Sequence, residues 1–253
     1  MIISSKDNKK IKEIYKLKQE KYRKQQQKFI IETLNIIKEA YNEGVLEEIY
    51  IREDKQNDIP NFFKDIPIFY VTENVFKKIS NLTNSYILGV CKMKEQKREG
   101  DRYLLLDGIQ DPGNLGTIIR TSLGFNITTI ILSDTCVNLY NEKVIMASEG
   151  AIFKINIIKE DLISTIKDLK QEGFYIYGTD VTSGTNLHDV KQQNKYALVM
   201  GSEGTGVSLD VKRLTDSNIY IKTNERLESL NVAVATGIIL YELNKKNKLN
   251  KIY

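Results

Sequence analysis

The chain has 253 residues, 41% hydrophobic and 28% charged, with a formal net charge of +4. This is the composition of a globular chain forming one large or two small domains, and it excludes a disordered protein. No apolar run approaches the roughly 20 residues of a membrane span, and the start runs straight into charge at Lys6 instead of an apolar secretory segment, so a cytoplasmic location is the default expectation.

The charge is unevenly placed. Met1 to Lys28 holds ten Lys or Arg against three Asp or Glu, which is +7 and leaves −3 for the other residues. A basic arm on a near-neutral body suits a polyanion, and a solvated lysine-rich helix face is the plainer alternative. From Lys6 to Lys24 the apolar residues Ile11, Ile14, Tyr15, Leu17 and Tyr22 predict one amphipathic basic helix. Phe29–Ile31 predicts a strand. A helix follows with Leu34, Ile37, Ala40 and Tyr41, ended by Gly44. Glu47–Ile51 and Ile66–Val71 predict strands, Thr72 caps a helix containing Val75, Phe76 and Ile79, and Ile87–Met93 predicts another strand. This alternation describes a small α/β domain over residues 1–93. The charged stretch 94–102 is the predicted linker.

A second domain, residues 103–253, alternates more strongly. Strands are predicted at Tyr103–Leu106, Thr129–Leu132, Ile152–Ile158, Phe174–Tyr177, Tyr196–Met200 and Asn218–Ile221. Helices are predicted at about Asn114–Leu123, Asn141–Ser148, Asp161–Gln171 and Leu230–Asn244. Strands separated by helices imply a mostly parallel sheet covered on both faces, whose ligands gather beyond the carboxyl ends of the strands. A basic tail carries Lys245, Lys246 and Lys248.

Three stretches, each just after a predicted strand, carry the chemistry. The first is Asp111-Pro112-Gly113-Asn114, running on to Arg120; by itself it is a turn signal with Asn114 as a helix cap. The second is Gly201-Ser202-Glu203-Gly204-Thr205-Gly206, where close-spaced glycines let backbone groups approach a flat ligand. The third is Ser229-Leu230-Asn231, a helix start in which Ser229 can cap and Leu230 opens an apolar face continued by Val234, Ile238 and Tyr241. The small residues Ala233, Ala235 and Gly237 allow another backbone to come close. There is no phosphate loop ending in Gly-Lys-Ser/Thr and no dinucleotide fingerprint. His188 is the only histidine and lies in a polar loop; Cys91 and Cys136 are far apart and are expected to be core thiols. No metal site is expected.

Together the three stretches resemble the SpoU/TrmH family of RNA ribose 2′-O-methyltransferases, within the SPOUT superfamily. The resemblance covers Tyr103 to about Asn244, and a weaker similarity over Met1–Met93 resembles the family's α/β substrate-binding domain. It implies a parallel-sheet domain with a deep trefoil knot, S-adenosyl-L-methionine held chiefly by backbone groups, an RNA substrate and a homodimer with its site at the interface. Carried over by position, Asn114, Arg120, Glu203, Ser229 and Asn231 are the implied catalytic set. Gly201, Ile221 and Leu230 are the implied cofactor contacts, with Met200 and Gly206 beside them. The implied substrate is ribosomal RNA of the 23S type; tRNA, or a non-catalytic role in RNA binding or ribosome assembly, are the alternatives. A guanidinium holds its proton near neutrality, so Arg120 is better suited to clamping a phosphate and the 2′-oxygen than to accepting a proton. The sequence departs from the family pattern at Lys222-Thr223, where Pro-Met is frequent, and at Thr33, where Gly is frequent.

Overall fold

In the computed structural model, residues 2–58, 62–181 and 183–245 are described. Lys246 and Lys248 of the basic tail fall outside them. The chain divides into two compact units, Met1–Glu95 with Tyr140–Phe153, and Gln96–Leu139 with Lys154–Tyr253.

The first unit contains β1 (Ile2–Ile3), α1 (Lys9–Lys16), α2 (Glu20–Gln26), β2 (Lys28–Glu32), α3 (Leu34–Asn42), β3 (Leu46–Arg52), β4 (Ile68–Val71), α4 (Glu73–Ile79) and β5 (Ile87–Lys92). Its strands form a mixed sheet in the order β1-β4-β3-β5-β2. Ile11, Ile14 and Leu17 bury against Tyr50, Val75, Phe76, Ile79 and Leu88 on one side of that sheet. The single basic helix expected over Lys6–Lys24 is in fact two. The break at Leu17–Gln19 is held by Arg23, whose guanidinium donates to the carbonyls of Leu17 (3.1 Å) and Lys18 (2.9 Å). Those are carbonyls that a helix end leaves without partners. Tyr15, grouped with the apolar residues in the sequence reading, is 45% exposed.

The segment Tyr140–Phe153 belongs to this unit although the sequence pattern places it in the second domain. Aromatic packing accounts for it: the ring of Phe29 lies 4.5 Å from that of Tyr140 and 6.3 Å from that of Phe153. The segment carries α6 (Glu142–Ser148), capped by Asn141.

The second unit contains β6 (Arg102–Asp107), α5 (Pro112–Gly124), β7 (Thr129–Leu132), β8 (Asn156–Lys159), α7 (Leu162–Gln171), β9 (Tyr175–Thr179), β10 (Thr185–Asn186), β11 (Tyr196–Gly201), α8 (Leu209–Lys212), β12 (Ser217–Tyr220) and α9 (Val232–Asn244). Its seven strands run in the order β10-β12-β9-β11-β6-β7-β8, and every pairing is parallel. The expected strand Ile152–Ile158 is shorter, because Ala151–Phe153 forms a 3-10 turn before β8. β10 and α8 have no counterpart in the sequence reading; two and four residues are too few to show periodicity. Leu105, Val199, Ile176, Leu162, Ile166 and Leu169 make the core between the sheet and α7. Chain order doubles back at the middle of the sheet: β6, β7 and β8 proceed outward, then β9 is laid on the far side and β11 inserted between β9 and β6. Such a reversal opens a crevice beyond the carboxyl ends of the strands.

One backbone feature follows directly from the sequence. Thr33 precedes α3 at φ 76°, and its side chain makes no capping hydrogen bond. A β-branched residue at positive φ is strained by roughly 1–3 kcal/mol. Thr33→Gly is therefore expected to stabilise the protein by about 1 kcal/mol, after the entropy that glycine loses on folding is set against the relief. A higher chemical-denaturation midpoint checks this; an unchanged or lower one shows that Thr33 is not strained.

Candidate active site

The three motif loops converge in the second unit. α5 begins two residues earlier than the sequence spacing suggests. Pro112 occupies its first turn and Asp111, not Asn114, is the cap, its carboxylate accepting from the Asn114 backbone N–H at 2.7 Å. That releases the Asn114 side chain from a capping role. At α9 the opposite occurs. Asn231, and not Ser229, is the cap: its Oδ1 accepts from the N–H groups of Ala233 (3.0 Å) and Val234 (3.2 Å).

Those two bonds fix the direction of everything beyond them. With Oδ1 occupied by donors, the Asn231 amide nitrogen faces the other way. It donates to Asn114 Oδ1 at 2.9 Å and approaches Glu203 Oε1 at 3.5 Å. Asn114 Nδ2 then donates to the same Glu203 oxygen. One residue from each motif thus joins a single hydrogen-bonded chain. It leaves the second carboxylate oxygen of Glu203 and one N–H of the Asn114 amide unused among these three residues. All three side chains are solvent-accessible, so the network orients polar groups more than it stabilises the fold.

Glu203 is presented by a tightly folded loop. Gly201 ends the buried strand β11, and a Cβ there would lie 2.0 Å from the carbonyl carbon of Gly206 and 2.1 Å from the nitrogen of Val207. Only glycine allows that backbone contact. Ser202 and Gly206 form a bridge, with the Gly206 N–H donating to the Ser202 carbonyl at 2.9 Å. Gly206 itself adopts φ 66°. The loop is pinned at its end by Ser208, whose N–H donates to Asp107 Oδ2 of β6 at 2.9 Å.

Beyond the ends of β9, β11 and β12 lies a cavity of about 400 Å³. Met200, Gly201, Glu203, Gly206, Ile221, Ser229 and Leu230, all singled out in the sequence, line it. Asn114 and Asn231 do not line it but reach it through Glu203. Thr179, Asp180 and Lys212 also form its wall and were not anticipated. Thr179 Oγ1 donates to the Val199 carbonyl at 3.0 Å, and Lys212 pairs with Asp180. The signal available for them was position alone, since Thr179 and Asp180 end and follow a central strand as the recognised motifs do.

Arg120 stands apart. It is exposed, does not line the cavity, and has no hydrogen bond or ion pair among the described residues. Six residues after Asn114 on a regular helix, it points about 120° away from it. The apolar face expected from Leu230 through Val234, Ile238 and Tyr241 also points outward: these last three are 52%, 38% and 55% exposed. The face of α9 that enters the core carries Val232, Thr236, Ile239, Leu240 and Leu243. Among the described residues no cluster of His, Cys, Asp or Glu suits a metal ion, and no helix is long and apolar enough to cross a membrane. Both cysteines are free and buried.

Comparison with known proteins places the chain among RNA methyltransferases by similarity. Residues 101–241 match the model of the SpoU rRNA Methylase family, and residues 8–87 match the MRM3-like substrate binding domain. The chain is 34% identical to the 23S rRNA (guanosine(2553)-2′-O)-methyltransferase RlmP of Bacillus subtilis, over 95% of this chain and 98% of that one. It is 36% identical to an uncharacterized tRNA/rRNA methyltransferase of Borreliella burgdorferi, over 61% of this chain and 68% of the other. Among solved structures it resembles the AdoMet-bound rRNA methyltransferase of Sinorhizobium meliloti, with a TM-score of 0.84 and 26% identity, over 96% of this chain and 97% of that one.

The double duty of Asn231 is open to test. Asn231→Ala removes the cap and is expected to cost about 1 kcal/mol of stability. Asn231→Ser keeps an acceptor for the N–H groups without bringing a second carboxylate up to Glu203, and serine caps about as well as asparagine, so its denaturation midpoint should stay near wild type. Equal losses in the two variants would show that capping is not what Asn231 supplies.

Proposed function

The chain belongs to the SpoU rRNA Methylase family, and from that premise we propose that it is an S-adenosylmethionine-dependent methyltransferase acting on a ribose 2′-hydroxyl of 23S ribosomal RNA. The observation that carries the reading is the convergence of Asn114, Glu203 and Asn231 at the edge of a glycine-cradled cavity. The relative with the fullest coverage quoted above supplies the substrate class.

The cavity suits the cofactor on its own chemistry. At Gly206 a Cβ would meet only open space, so the bare main chain there can meet a planar adenine, and Met200, Ile221 and Leu230 offer apolar contact. The carboxylate of Glu203 supplies negative charge where a cationic group is to be held. Gly201, Ile221 and Leu230 would hold the cofactor, with Met200 and Gly206 beside them. When bound, S-adenosylmethionine supplies an electrophilic methyl group on a sulfonium.

The chain's own residues position and desolvate the acceptor. Asn114 and Asn231, locked in direction by the α9 cap, orient the ribose, and Ser229 lies at the cavity wall within reach of the same substrate. Glu203 holds the two amides in register. Arg120 clamps a phosphate and the 2′-oxygen by charge-assisted hydrogen bonds. Because Arg120 points away from the cluster of its own chain, it serves the site of a second copy. The outward apolar stripe Val234, Ile238 and Tyr241 is the face on which that copy packs. The family's knotted topology is part of the same reading, as is a substrate-binding role for the first unit. Residues 1–93 bind RNA, 94–102 connect, and 103–253 methylate.

Incubating unmodified 23S transcript with the protein and S-adenosylmethionine, then mapping 2′-O-methyl groups, tests the activity. A single new ribose methylation is expected. Methylation of a base, of tRNA alone, or of nothing would overturn the reading.

Arg120→Ala is expected to lower methyl transfer by about a hundredfold or more while leaving S-adenosylmethionine affinity, read by calorimetry, close to wild type. Activity within about tenfold, a barrier change of about 1.4 kcal/mol, would make Arg120 a bystander. Light scattering at micromolar concentration should give a dimeric mass for the wild type and a monomeric mass for Ile238→Glu. A monomeric wild type contradicts the interface.

A further inference from the structure

On the first unit, Tyr15 presents an aromatic ring to solvent where its neighbours on α1, Ile11 and Ile14, are buried. Two ammonium groups stand beside it, Lys18 Nζ at 5.5 Å and Lys78 Nζ at 5.6 Å from the ring centroid. Neither lysine is loose: Lys18 donates to the Ser80 carbonyl and Lys78 to the Lys6 carbonyl, each at 2.9 Å. The pattern repeats on α2, where Tyr22 lies 5.6 Å from Lys16 Nζ and 5.9 Å from Lys21 Nζ.

The charge on this surface is only partly met locally: Lys18 has Glu32 and Glu142 near it, and Lys78 has Asp7. Lys12 pairs with Asp7 and Lys24 with Glu20. Lys16, Lys18, Lys21 and Lys78 have no carboxylate within ion-pair distance among the described residues. An exposed tyrosine beside ammonium groups, with the half-buried Tyr22 among others on the next short helix, matches what a single nucleic-acid strand offers: a flat base for the ring and phosphates for the cations. A duplex offers only the phosphates, because its bases are stacked on each other.

We propose that Tyr15 is a stacking platform for an unpaired base of the RNA substrate, with Lys18 and Lys78 holding the flanking phosphates and Tyr22 receiving a neighbouring nucleotide. The proposal rests on the RNA methyltransferase reading and assigns the chain a preference for a single-stranded segment of its RNA. Tyr15 acts here as a binding residue and takes no part in methyl transfer.

The chain contains no tryptophan, so Tyr15→Trp creates a single tryptophan at the platform, whose emission is excited selectively at wavelengths beyond tyrosine absorption. Adding a short oligoadenylate, or unmodified 23S transcript, is expected to quench that emission by stacking, and a duplex of the same length is not. In parallel, Tyr15→Ala should weaken binding of the same RNAs about tenfold or more with an unchanged salt slope, since no phosphate contact is lost, while Tyr15→Phe stays near wild type. Unchanged circular dichroism and S-adenosylmethionine affinity confirm that the variants are folded. If the wild type binds and methylates RNA while emission is unquenched and Tyr15→Ala binds normally, the platform is overturned and the methyltransferase reading stands. If the wild type binds no RNA at all, both fall.

Discussion

The second unit depends on a contact between two stretches of bare backbone, Gly201 against Gly206 and Val207. β11 is buried along its whole length between β9 and β6, so the strand end at Gly201 has no freedom to adjust. The loop must therefore turn back on itself within a few residues, and a single Cβ at position 201 would occupy the space of the returning main chain. The reward for that tight turn is position. It places Glu203 outward at the cavity edge, keeps Met200 on the wall, and sends Val207 back into the core beside Leu105 and Leu162. The bond from Ser208 to Asp107 then fastens the returning chain to the neighbouring strand.

Direction, more than strength, is what the polar network contributes. An amide offers an acceptor at one end and donors at the other, and nothing intrinsic decides which faces a substrate. In this chain the choice is made by α9: two backbone N–H groups at its start claim Asn231 Oδ1, which turns its nitrogen towards Asn114 and Glu203. Asn114 must then accept from Asn231 and donate to Glu203. A helix end, which would need a cap for its own reasons, thereby sets the polarity of the whole cluster.

α9 is apolar on two faces, and only one of them is packed in the single chain. Its inner face, from Val232 to Leu243, is buried in the second unit, while Val234, Ile238 and Tyr241 form an apolar stripe exposed in the single chain. A helix apolar on both faces has a weak amphipathic signal, since burial on one side no longer contrasts with charge on the other. Arg120 is likewise exposed, away from the cavity.

The amino-acid sequence by itself determined the alternation of strands and helices, the parallel sheet of the second unit and the three motif loops, because these depend on periodicity, turn residues and short-range order. Ten site residues were named from it, and Met200, Gly201, Glu203, Gly206, Ile221, Ser229 and Leu230 lie together on one cavity wall. What only the tertiary structure decided were matters of competition between neighbours. Asp111 and Asn231 took the caps that Asn114 and Ser229 were equally able to fill, because the oxygen that reaches the free N–H groups wins. The basic helix broke in two because Arg23 reaches back to satisfy the carbonyls at the break. Residues 140–153 joined the first unit because aromatic rings distant in sequence found Phe29. Thr179, Asp180 and Lys212 reached the cavity through strand order, and strand order is set by long-range pairing that no local pattern encodes.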